Sequence, residues 1–113
     1  MKIANIFKDI TYSNKKPIIT VLLDTDFTKE IRIAMEKGTV MKEHKTLYPI
    51  VLEILEGTID FGIPSDIVVL SKGDLIALES NVPHDLKANE NSIIRLTLTK
   101  HDNVDRVEKV LKS

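Results

Sequence analysis

The stretch GTVMKEHKTLYPIVLEILEG, residues 38–57, decides how this chain reads. One glycine opens it and another closes it. His44 follows the first glycine by six positions. Two positions later, where a second imidazole would complete a chelating pair, stands Thr46. The run after Pro49 alternates: Ile50, Leu52 and Ile54 share one side of an extended chain, while Val51, Glu53 and Leu55 share the other. A packed interior takes the side without a charge, so the Ile50 row is expected to point inward.

Working outward, similar short apolar runs recur on both sides. They are PIITVLL (17–23), EIRIAM (30–35), TIDFGI (58–63), DIVVL (66–70), DLIAL (74–78) and SIIRLTLT (92–99). Turn-forming clusters separate them: EKG at 36–38, EG at 56–57, IPSD at 63–66, SKGD at 71–74 and ANEN at 88–91. Seven or eight short strands with no helical pattern between them predict an all-β sandwich or barrel. Gly38, Gly57 and Gly73 each stand between apolar runs, where a hairpin would demand a positive φ. Pro83 fixes the approach to a further strand that carries His84. Only HDNVDRVEKVLK (101–112) has a helical period, with Val104, Val107 and Leu111 on one face and Asp102 or Asn103 as cap. It predicts a short C-terminal helix over about residues 102–112, laid on the barrel or on a partner subunit.

At 113 residues the chain is expected to form a single domain, 1–113, with its barrel core over about 18–100. Sixteen basic residues against seventeen acidic ones, with aromatics at 4%, leave neither an electrostatic footprint nor a stacking platform for nucleic acid. The chain has no cysteine, which excludes disulfides, thiolate nucleophiles and cysteine-bound metal. No apolar run reaches membrane-spanning length and the first twenty residues lack a signal-peptide core, so a cytoplasmic protein without membrane contact is expected. There is no Gly-x-Ser-x-Gly elbow and no phosphate-cradling glycine loop.

The central block resembles the cupin superfamily, specifically a small RmlC-like jelly roll. The first cupin motif runs glycine, five residues, His-x-His, three or four residues, glutamate, six residues, glycine. Gly38, His44 and Gly57 match it; Thr46 holds the second histidine position and Ile50 the glutamate position. The second motif resembles KGDLIALESNVPHDLKA, with Gly73 and Asp74 opening it and His84 at the last metal histidine. Glu79 stands near the place of the usual mid-motif proline. The resemblance covers roughly residues 30–100 and implies a double-stranded β-helix.

It also implies a site formed by His44, Thr46, Ile50 and His84. A catalytic first-row metal needs about three protein donors and an open position. The resemblance supplies only His44 and His84, so a degraded metal site is expected, holding either no metal or a weakly bound iron, manganese, nickel or zinc ion. Three functions follow as expectations. The first is capture of a small molecule in the barrel pocket. The second is a metal-dependent enzyme, of dioxygenase or isomerase type, with His44 and His84 as ligands. The third is an oligomeric structural or regulatory protein with a vestigial pocket. A homodimer is expected, because small barrels of this kind often pair through a sheet. Arg32, Glu53 and Arg95 fall on the charged faces of strands expected to be close in one sheet, where they would form an external row of ion pairs. Tyr48 is a candidate for the pocket mouth, and His101 reads as a surface residue.

Overall fold

The structure of the protein is a computed structural model in which residues 1–100 are described; the expected C-terminal helix and His101 lie outside the described residues. Among the described residues nine strands follow one another: β1 (Ile18–Asp24), β2 (Thr28–Met35), β3 (Val40–His44), β4 (Ile50–Glu56), β5 (Thr58–Ile63), β6 (Asp66–Ser71), β7 (Leu75–Leu78), β8 (His84–Ala88) and β9 (Ser92–Thr99). They form two antiparallel sheets, ordered β1-β2-β9-β4-β7 and β3-β8-β5-β6. From β2 onward the chain crosses between sheets at nearly every turn, which makes a jelly roll.

Alternation puts the core between the sheets. Ile31, Ile33 and Met35 of β2 face inward with Ile50, Leu52 and Ile54 of β4 and Ile94 of β9. From the other sheet come Ile59 and Phe61 of β5, Leu70 of β6, and Leu86 and Ala88 of β8. The inward placement of Ile50 follows the parity read from the sequence.

Two sequence expectations need correction. The described strands number nine, because the weakly patterned VMKEH segment is also a strand. The three glycines do take positive φ, 89° at Gly38, 90° at Gly57 and 93° at Gly73, but none sits in a hairpin. Each links one sheet to the other, where the chain must turn out of the sheet plane. Gly57 is the tightest: a Cβ there would meet the Asn91 backbone oxygen at 2.6 Å.

The N-terminal residues lie across the outer face of the five-stranded sheet. Arg32 reaches them from the middle of β2. Its guanidinium donates to the backbone carbonyls of Ile6 (3.0 Å), Lys8 (2.8 Å) and Asp9 (3.4 Å). This leaves Arg32 only 5% exposed. Among the described residues no helix is long and apolar enough to cross a membrane.

Candidate functional site at the barrel mouth

The two histidines meet because β3 and β8 are neighbours with a fault in their register. Val40 pairs with Lys87 and Met41 with Leu86, after which the register shifts so that His44 stands opposite His84. Met41 shares the inward face of Leu86, and strict alternation would put His44 on the opposite face. The extra residue in β3 resets the parity and turns His44 toward His84, as bulges beside functional sites commonly do. The ring centroids are 4.3 Å apart with planes at 61°. His84 is 2% exposed and stacks on Phe61 at 5.7 Å, whereas His44 is exposed.

Both rings are oriented in the same way. His44 Nδ1 lies 2.8 Å from the Lys42 carbonyl oxygen, and His84 Nδ1 lies 2.9 Å from that of Val82. A carbonyl oxygen can only accept, so each Nδ1 carries a proton, and Nε2 is the ring atom on which a lone pair can be offered. The same bond orients metal-ligating histidines and also satisfies a packed one. The donor set decides how far this goes. Among the described residues no third histidine, cysteine or carboxylate gathers with the pair into a metal-binding group. Two imidazoles fall short of the three donors that a catalytic centre takes.

Thr46 and Ile50 line a half-open depression of 380 Å³ whose lining includes neither histidine. Of the four residues that the family pattern assigns to one site, His44 and His84 meet between β3 and β8, and Thr46 and Ile50 line a depression between the β3–β4 link and the end of β9. Ile50, Leu47, Pro49 and Leu98 give the depression its apolar surface. The Thr46 hydroxyl donates to the Tyr48 carbonyl at 3.0 Å, and the Asn81 N–H donates to the Thr46 carbonyl at 2.8 Å, so the rim loop is pinned to the segment before β8. Tyr48 lines the rim, as its sequence position suggested.

Lys29 and Lys100 complete the rim and were missed in the sequence. Lys29 was legible: it has the parity of Ile31, Ile33 and Met35, so it is a cation on an inward row at a strand end. Lys100 follows β9, where its N–H donates to the Phe27 carbonyl at 2.9 Å and its ammonium pairs with Asp24. That hydrogen bond, more than the surrounding charges of Lys100, Lys29 and Lys2, holds the Asp24 carboxyl below its ordinary value.

On the outer face of the same sheet the expected ion-pair row is present with a change of membership. Arg95 binds Glu53 at 2.8 Å, as read from the sequence, and Glu30 at 3.1 Å, which was not singled out. Its pKa is raised, chiefly by the hydrogen bond to Glu53. Arg32, directly across from Arg95, stands outside the row because the N-terminal carbonyls take its guanidinium.

No protein-family profile matches the chain, and no curated protein is similar to it in sequence. Its fold, in contrast, has many counterparts among solved structures. An RmlC-like cupin from Desulfovibrio desulfuricans superposes with a TM-score of 0.80 at 15% identity, over 88% of this chain and 96% of that one. A cupin family protein with a double-stranded β-helix fold from Methanocaldococcus jannaschii gives 0.73 at 17% identity, over 94% and 96%. KdgF from a Halomonas species gives 0.66 at 17% identity, over 76% and 82%. The order of strands, the three sheet-crossing glycines and these superpositions agree that the chain has the cupin fold, the double-stranded β-helix of the RmlC-like proteins.

Proposed function

We propose that this cupin-fold protein is a cytoplasmic homodimer that captures a small organic molecule at the mouth of its barrel. The observation that carries the reading is the 380 Å³ depression, with an apolar floor of Ile50 and Leu98 and a polar rim that includes Thr46 and Tyr48. Its size and its mixture of surfaces suit a small ligand. A fragment screen by ligand-observed NMR tests it. Hits should compete with one another and lose binding in Thr46→Trp, which fills the depression from its rim. Hits that bind the variant unchanged would overturn the reading.

One observation favours a second reading, a metal-dependent enzyme built on His44 and His84: both Nδ1 atoms are bonded to backbone carbonyls, which leaves both Nε2 atoms as donors. Against it stands the absence of a third donor among the described residues. Elemental analysis of protein purified without an affinity tag or added metal separates the two. Near-stoichiometric iron, manganese, nickel or zinc would favour the enzyme.

A further inference from the structure

The described residues that line the depression include two lysines, Lys29 and Lys100, and no carboxylate. Three lysines surround Asp24: Lys100 pairs with its carboxylate, Lys2 donates to its backbone carbonyl, and Lys29 stands opposite it in the β1–β2 register. Of the two lysines that line the depression, Lys100 shares its charge with Asp24, and Lys29 adds a positive charge of its own. The Lys29 side chain makes no hydrogen bond or ion pair among the described residues, yet Lys29 is half-buried and faces inward at the depression. A lysine at a strand end normally extends its stem over apolar surface and keeps its ammonium in water. Here Lys29 stands opposite Leu98, its cross-strand partner, and lines the depression beside its apolar floor.

We infer that the depression selects a small organic acid, with Ile50 and Leu98 receiving its apolar body and Lys29 pairing with its carboxylate. This rests on the small-molecule reading above and names the ligand class. Lys100 supports the head group from the side, its charge shared with Asp24. A neutral ligand would fill the same floor but leave Lys29 unpaired, and a cation would be repelled by its charge. Attraction at such a half-open rim is screened by salt, so the preference for an anion should shrink as ionic strength rises.

The test compares 4-phenylbutyrate with its neutral amide, measured by calorimetric titration of the full chain at low salt. The carboxylate should bind about fivefold more tightly than the amide, as one partly exposed ion pair provides. Lys29→Met should erase that preference, while Lys29→Arg should retain it. Lys72→Met, which alters the Lys72–Glu56 pair and no rim residue, should change neither. If the amide binds wild type as tightly as the acid, the inference falls and the small-molecule reading stands. If the acid keeps its advantage in Lys29→Met, the charge that selects it lies elsewhere and the inference falls. If neither compound binds at millimolar concentration, both the inference and the reading beneath it fall.

Discussion

At the scale of single residues, His44 and His84 show how a shared position in a pattern can hide different physical roles. His84 is buried against Phe61 with its Nδ1 bonded to Val82; His44 is exposed and held only by its own strand and its partner ring. Truncating a buried ring loses its transfer energy, leaves a cavity, and strands the Val82 carbonyl. His84→Ala is therefore expected to cost about 2–4 kcal/mol in a urea melt, within the usual range for large-to-small core changes. His44→Ala should cost about 1 kcal/mol or less, as for most surface positions. Equal losses would mean that the two rings act as one unit, which the difference in burial argues against. The sequence made half of this visible. Parity placed Ile50 inside, and the motif paired the two histidines. The depression that Thr46 and Ile50 line could not be read, because it depends on where the link after β3 turns, and that link is pinned by a bond to Asn81 from a distant part of the chain.

At the scale of elements, β3 and the N-terminal segment are the least legible parts of the fold, for opposite reasons. VMKEH carries one β-branched residue and no apolar alternation, since β3 is an edge strand with most of its residues exposed. Its pairing with β8 is what makes it a strand, and pairing across forty positions leaves no local trace. The N-terminal segment is fixed by Arg32, whose charge the sequence placed on an outer face. What sequence could not show is that backbone carbonyls would cover that face. Buried and with no carboxylate bonded to it, the guanidinium relies on the carbonyls of Ile6, Lys8 and Asp9, and its Nε finds no partner among the described residues. Arg32→Met keeps the apolar stem and removes all three bonds. Local opening free energies fall when such bonds are lost, without change to the strands beneath. Amide hydrogen exchange over residues 5–12 should accelerate by about tenfold or more with the three bonds gone, while β4 and β9 keep their protection. Uniform acceleration would show instead that Arg32 supports the whole barrel.

At the scale of the whole molecule, the two sheets do not match in width. The five-stranded sheet extends one strand beyond the four-stranded one, and β1 lies at that overhanging edge. The consequence appears in pairs of residues that share a face. Ile33 is 1% exposed and Ile31 7%, but their cross-strand partners on β1, Ile19 and Val21, are 57% and 53% exposed. Among the described residues, the inward face therefore continues onto β1 with apolar side chains and nothing opposite them, and the outer edge of β1 has no strand beside it. Proteins seldom leave such an edge open without a charge, a proline or a bulge to guard it. The register shift between Val21 and Leu23 twists only the far half of the strand. A second copy meeting this edge about a two-fold axis would cover both the backbone row and the two side chains, with the same residues contributed from each side. Light scattering at micromolar concentration should then give twice the chain mass. The double change Ile19→Lys plus Val21→Lys should give a single chain mass with an unchanged β-sheet spectrum, because both side chains lie outside the packed core. A monomeric wild type would overturn the dimer, and a dimeric double variant would move the contact to another surface, the Glu30–Arg95–Glu53 face being the next candidate.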